Sequence, residues 1–228
     1  MLELDLHEKL EMETLDIMRR QKALDKLIFC GGTMLRLCFG LNRYSTDLDF
    51  HLMNGKDYKK DFKMLKEAFV REGFEITDYQ EKHFTYLMEL RGKDYPRRLK
   101  IEIRKQPTDD TLIMQSIAFS KSAPILQVKL TTYTLEQMWK DKVRTFLDRH
   151  EIRDLFDIEF LLRRGAGKLA DIDQKILTEL LKELEGLSEF DFKNRLGNLL
   201  NTADRKFYME NKFAFLNGEL REMLTKKS

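Results

Sequence analysis

The sequence predicts an α+β fold: a mixed sheet with flanking helices over residues 1–133, followed by a helical domain over 134–228. Three observations predict it. Short apolar or alternating runs that suit strands are confined to the first part. From Leu135 onward apolar residues recur at helical spacing and no convincing strand is found. The change of character falls near Thr131–Thr134, where TTYT precedes a helix. With 3 prolines and no Gly/Ser tract, a long flexible linker is not expected, so the halves should pack together around a cleft.

Residues 4–26 carry Leu10, Met12, Leu15, Met18 and Leu24 among charges, the pattern of an amphipathic helix. Leu27–Cys30 is a short apolar run that ends at Gly31-Gly32, a strand entering a tight turn, with Thr33 placed to cap a helix through Phe39. Asp47–Leu52 alternates with period two, as a half-buried strand does. Asp57–Glu72 reads as a helix, and Phe74–Tyr79, Phe84–Leu90 and Leu99–Lys105 as strands. Helical patterns then cover 135–149, 152–164, 173–185, 188–202 and 206–225. In the last of these Phe207, Phe213 and Phe215 are expected in the core.

Composition narrows the class. The chain has 228 residues, 42% hydrophobic and 35% charged, enough for real cores and against global disorder. Its net charge of +2 does not mark a nucleic-acid binder, so any basic surface is local. Seven basic residues at 91–105 (Arg91, Lys93, Arg97, Arg98, Lys100, Arg104, Lys105) would form either a phosphate-contacting patch or a solvated strand edge. The 2 cysteines, Cys30 and Cys38, lack a cysteine-histidine cluster and suit free thiols in a reducing cytosol. The charged N-terminus has no apolar signal core and no run approaches a membrane span, so the expectation is a cytoplasmic protein without a membrane partner.

The chemistry concentrates in DLDFHL. Strand alternation puts Asp47, Asp49 and His51 on one face and Leu48, Phe50 and Leu52 on the other. Two carboxylates about 6–7 Å apart at the backbone repel each other unless a cation sits between them. A divalent ion that also takes phosphate oxygens resolves the conflict; a solvated strand face is the plainer reading. Gly31, Gly32 and Thr33, between strand and helix, would let backbone amides approach phosphate oxygens, although a GG pair is also an ordinary turn and no P-loop occurs. LKIEIRK alternates in the same way, with Lys100, Glu102 and Arg104 opposite Leu99, Ile101 and Ile103. If that strand neighbours the first, Glu102 is a third carboxylate that binds metal or takes a proton from an acceptor hydroxyl; otherwise it belongs to a surface ion-pair face. His51 reads as structural.

Further on, Leu135, Met138, Trp139, Lys142 and Phe146 form one helical stripe. The Lys142 charge in it either snorkels to water or faces an internal anion such as a triphosphate. IRDLFDIEFLL is apolar nearly all round, so Arg153, Asp154 and Asp157 need partners, with Arg144, Arg149 or Arg153 the structural candidates for the acids.

The run GGTMLRLCFGLNRYSTDLDF, with KIEI later and KDKVRTFLDRHEIRDLFDIEFLL after it, resembles the AbiEii/AbiGii nucleotidyltransferase toxin family, built on the polymerase-β-like nucleotidyltransferase fold. The likeness spans about residues 27–164. It implies that Gly31, Gly32 and Thr33 are the glycine turn, that Arg43 and Ser45 are the arginine and serine before the acids, and that Asp47 and Asp49 bind metal. Lys142 and Asp154 match the lysine and aspartate of the last two motifs, and the family often has aspartate where this chain has Glu102. The implied chemistry is transfer of a nucleoside monophosphate from an NTP, with Mg²⁺ or Mn²⁺, to an acceptor that is tRNA in some members. A cognate antitoxin is the implied partner. Alternatives are a small-molecule nucleotidyltransferase and an inactive module that binds RNA or a protein on the same fold.

Overall fold

Alternation dictates the centre of the molecule. A computed structural model describes residues 2–54, 56–106 and 112–227. The chain divides into two compact units, Met1–Thr134 and Leu135–Ser228.

The first unit carries α1 (Leu2–Arg20), β1 (Leu27–Cys30), α2 (Gly31–Phe39), β2 (Asp47–Leu52), α3 (Lys59–Arg71), β3 (Glu75–Glu81), β4 (Thr85–Arg91), β5 (Leu99–Arg104), β6 (Ile113–Phe119) and β7 (Gln127–Tyr133). The strands form a seven-stranded sheet in the order β3-β4-β5-β2-β1-β7-β6. β2 pairs antiparallel with β1 and parallel with β5; β1 pairs parallel with β7. The expected first helix is shorter than its pattern. α1 stops at Arg20, Lys22 takes a left-handed turn (φ 56), and Ala23–Lys26 is a 3₁₀ turn.

Two strands, β6 and β7, are additions to the sequence expectation. Thr131–Tyr133, expected to lead into a helix, are the end of β7, which lies inside the sheet against β1 with Phe29 opposite Thr132. In β7 Val128, Leu130 and Thr132 are buried while Gln127 and Lys129 are exposed, the period-two pattern of a strand with one wet face.

Register in the central strands is fixed by burial. Leu48 and Phe50 of β2, with Leu99, Ile101 and Ile103 of β5, are fully buried or nearly so. Each such side chain contributes about 1.5–3 kcal/mol. A slip of one residue would turn these side chains outward and the acids into the core, so packing on one face holds the chemistry on the other. From the buried side, α3 places the Phe62 ring 4.9 Å from that of Tyr86.

The second unit contains α4 (Leu135–Arg149), α5 (Ile152–Arg163), α6 (Gln174–Gly186), α7 (Thr202–Asn211) and α8 (Ala214–Lys227), with a π and 3₁₀ stretch over 191–199. The last two expected helices are redrawn. Asn201 caps a new helix by accepting from the Asp204 amide, and Lys212 (φ 50) breaks the chain between α7 and α8. Phe213 enters the core beside Phe192, with ring centroids 5.5 Å apart, while Phe207 is 47% exposed and is no core residue.

Candidate active site

The site is built around the passage from β1 into α2. Gly31 adopts φ +80, a conformation that favours glycine, and a Cβ there would lie 2.7 Å from Asp49 Oδ2. At Gly32 a Cβ would meet Arg43 Nη2 at 2.6 Å and Ser45 Oγ at 2.9 Å. Gly31 is favoured by its left-handed backbone and gives room to Asp49, and Gly32 gives room to the Arg43 and Ser45 side chains. Thr33 does not cap the helix. α2 already begins at Gly31, and the buried Thr33 hydroxyl donates to the Asp47 carbonyl at 2.6 Å, tying the first turn of α2 to the start of β2. The first-turn amides of any helix lack partners within it and favour negative charge.

The segment before β2 is held from several sides. Arg43 is buried and its Nη1 donates to the Tyr44 carbonyl at 3.0 Å. His7, buried on α1, donates through Nε2 to the Thr46 carbonyl at 2.9 Å.

Parallel pairing of β2 with β5 sets Asp49 opposite Glu102 and Asp47 opposite Lys100, so all four side chains share one face of the sheet. Lys100 Nζ lies 3.2 Å from Asp47 Oδ2 and 3.7 Å from Glu102 Oε2, and Arg104 Nε is 3.5 Å from Glu102 Oε1. Burial, then the charges of Asp47 and Glu102, push the Asp49 carboxyl above the usual carboxylate range. Burial alone would lower the Lys100 ammonium, but the pull of Asp47, Glu102 and Asp49 outweighs it and the pKa rises. His51 completes this face with Nδ1 2.8 Å from the Tyr133 hydroxyl. Burial and the Arg104 charge lower its pKa to about 4, so it is neutral at physiological pH and serves packing.

Among the described residues no three His, Cys, Asp or Glu side chains are gathered tightly enough to cage a metal as they stand. Mg²⁺ does not require such a cage, because it uses one or two carboxylates plus waters and substrate phosphates. Asp47 and Asp49 supply that donor set, side by side on one strand face. The residues fit a hard divalent cation.

Residues 15–225 match the family of nucleotidyl transferase AbiEii toxins of type IV toxin-antitoxin systems. The chain belongs to the AbiEii family. It is thus a nucleotidyltransferase of a toxin-antitoxin system. Two solved structures from Helicobacter pylori share the fold with this AbiEii protein. JHP933 has a TM-score of 0.51 at 20% identity, covering 96% of this chain and 94% of its own. A candidate nucleotidyltransferase has a TM-score of 0.55 at 18% identity, covering 96% and 97%. No protein of curated function matches.

In the second unit of this AbiEii chain, Lys142 and Asp154 are together, but in a closed cluster. Lys142, 5% exposed, reaches Asp154 Oδ1 at 3.2 Å and Asp157 Oδ2 at 2.6 Å, and both acids are 0% exposed. Arg149 grips Asp154 with two bonds of 2.6 and 2.7 Å. The internal anion that Lys142 meets is a pair of carboxylates from its own domain. Asp157 pairs with that lysine, a partner the sequence reading does not name for it.

Five of the seven basic residues at 91–105 have acidic partners. Arg97 pairs with Glu3, Arg98 with Glu89, Lys100 with Asp47, Arg104 with Glu102 and Lys105 with Glu81. β5 is an interior strand, so the solvated-edge reading falls. A concavity of about 960 Å³ elsewhere in the first unit, bordered by Lys9, Glu13, Tyr95 and Ile125, has neither Asp47, Asp49 nor Glu102 in its lining; chemistry, more than volume, marks the site. Cys30 and Cys38 are free thiols, and burial raises Cys38 to about 12, which leaves it inert. No helix among the described residues is long and apolar enough to cross a membrane.

Proposed function

We propose that this AbiEii protein transfers a nucleoside monophosphate from an NTP to a hydroxyl of an RNA acceptor, tRNA above all, in a reaction that requires Mg²⁺ or Mn²⁺. The observation that carries the reading is the set of three carboxylates, Asp47, Asp49 and Glu102, on one sheet face against a glycine turn that opens a helix. Asp47 and Asp49 would hold the divalent cation, with Glu102 adjoining. Bound there, the cation supplies neutralising charge for the triphosphate.

The protein's own groups do the rest. Gly31, Gly32 and Thr33 present the first turn of α2 to phosphate oxygens, while Arg43 and Ser45 fix the loop that orients Asp47. The acceptor oxygen attacks the α-phosphorus, the α–β anhydride bond breaks, pyrophosphate leaves, and the hydroxyl proton passes to Glu102. For Lys142 and Asp154 we propose a scaffolding role. If Lys142 turns to a phosphate, Asp154 keeps Arg149 but buried Asp157 loses the lysine that pairs it, a cost of several kcal/mol.

The RNA acceptor rests on the family's toxin role, since five of the seven cations at 91–105 already have acidic partners. The type IV system implies a cognate antitoxin, and the site of action on nucleotides and RNA would be the cytoplasm. The test is incubation of the protein with each labelled NTP, Mg²⁺ and either total RNA or small hydroxylated acceptors. Label should enter RNA, with one NTP preferred, and the Asp49→Asn variant should be silent. Label in the small acceptors alone would replace RNA as substrate. No label with any NTP, in a protein that still binds RNA, would favour the non-catalytic reading.

A further inference from the structure

Lys100 stands where a cation is needed. Its position opposite Asp47 in the β2–β5 ladder sends its side chain to the acidic face, and its ammonium contacts Asp47 at 3.2 Å and Glu102 at 3.7 Å. Arg104, the other cation there, reaches only the far oxygen of Glu102. Among the described residues Lys100 thus contacts an acid of β2 and an acid of β5 at once, while Arg104 contacts Glu102 and acts on Asp49 through its charge alone. It is 35% exposed, so its stem is anchored between strands while its tip has room to leave. Lysine suits such a position, since a compact point charge on a flexible four-carbon stem moves without breaking the planar, two-pronged geometry that an arginine would form.

We infer that Lys100 is a built-in placeholder for the divalent cation, bridging Asp47 and Glu102 until metal displaces its ammonium. The inference rests on the proposed metal role of Asp47 and Asp49. The Asp47 oxygen that Lys100 holds lies on the strand position next to Asp49 on this face, so a cation drawing on both aspartates competes for it. The bare cation therefore binds more weakly than the acids alone would allow. The displaced ammonium is left beside the incoming triphosphate, a second anion to which it can transfer. Metal and NTP then favour each other's binding, and the acids keep a partial counter-charge when the site is empty of both.

The experiment measures Mn²⁺ binding by the electron spin resonance of the free ion, without nucleotide, for the wild type, Lys100→Met, Asp49→Asn and Arg98→Met. Lys100→Met should tighten Mn²⁺ binding by roughly fivefold, the strength of a half-exposed ion pair. Arg98→Met, whose partner is Glu89, should change nothing. The effect should persist at high salt, because direct displacement is not screened as a distant field is. A second readout leaves Lys100 unchanged: acetylation of its amine by a water-soluble ester, quantified by mass spectrometry in the wild type and Asp49→Asn. Mg²⁺ should speed it, and should not do so in Asp49→Asn.

Unchanged or weaker Mn²⁺ binding in Lys100→Met would overturn the placeholder, as would Lys100 labelling that is unmoved or slowed by Mg²⁺. Failure of the underlying reading looks different. If the wild type shows no Mn²⁺ binding that Asp49→Asn removes, the metal site itself falls.

Discussion

The molecule carries two charged clusters of similar size and opposite character. In the first unit three acids (Asp47, Asp49, Glu102) share two cations (Lys100, Arg104), the contacts run from 3.2 to 3.7 Å, and the ionisation of Asp49 is disfavoured. In the second, two acids (Asp154, Asp157) meet two cations (Lys142, Arg149) at 2.6 to 3.2 Å, with both acids fully buried. Buried charges persist only when matched in number and geometry, and the second cluster is matched. The first is left short of positive charge at the surface, where a ligand can supply it. On the proposed reading, incomplete compensation, more than acidity, sets the catalytic cluster apart from the scaffolding one.

The comparison is broken most directly at Asp49. Asp49→Asn, or Asp47→Asn, should cost at least about 100-fold in nucleotide transfer, as loss of a metal ligand exceeds loss of its supporting contacts. The melting temperature should hold or rise, because repulsion among the acids is relieved. Full activity in Mg²⁺ with either variant would sink the metal site.

Lys142→Ala should do the reverse. It leaves two buried carboxylates without their shared cation and should destabilise the second unit by about 3–5 kcal/mol in urea unfolding. Lys182→Ala, on the exposed side of α6, should be neutral. If Lys142→Ala instead keeps its stability and raises the KM for NTP, the phosphate role implied by the resemblance is restored and the two clusters are alike in serving the substrate.

A smaller effect is expected at the turn. Gly31→Ala should cost about 1–2 kcal/mol from its left-handed backbone alone, and a larger share of activity, since the new methyl meets the Asp49 carboxylate. Equal losses of stability and activity would mean that the turn is only a turn.

The smallest test extends the charge deficit behind the sheet. Glu11 on α1 is fully buried with neither oxygen hydrogen-bonded, and burial, then Glu8, pushes its carboxyl well above the ordinary 4.5. The native state therefore holds this proton more tightly than the unfolded chain does. The stability it contributes is complete below about pH 4.5 and is lost as pH rises toward the native pKa. Glu11→Gln should flatten that decline in urea titrations from pH 4 to 8, and an unchanged slope would show Glu11 to be ionised or solvated.

Much of the first cluster is legible in sequence because strands translate alternation into faces: DLDFHL and LKIEIR sort acids from core residues with no knowledge of the fold. What stays hidden is pairing. That β5 lies beside β2, and that Lys100 thereby reaches Asp47, depends on a sheet order no local pattern encodes. Thr33 looks like a cap until its real acceptor, the Asp47 carbonyl, is seen. The partner of Lys142 is hidden for the same reason, since two helices must pack before i and i+3 acids on one can meet a lysine on the other. β6 is hard to read because IMQSIAF mixes exposed and buried apolar residues, and β7 because its threonines also suit a helix approach.

The fit of Gly31 against Asp49 also bears on the genetics of the system. Any nonsynonymous change in a glycine codon installs a side chain or a stop, and at this position each replacement both strains the backbone and intrudes on a carboxylate. A cell burdened by an unrestrained toxin thus has a short mutational route to safety through this codon. In a selection for survivors of toxin expression without antitoxin, missense escape alleles should be enriched at codon 31 over codons 186 and 218, where an added Cβ meets nothing and the backbone is not left-handed. An even spread over the three glycines would show that the turn has more slack than its geometry allows.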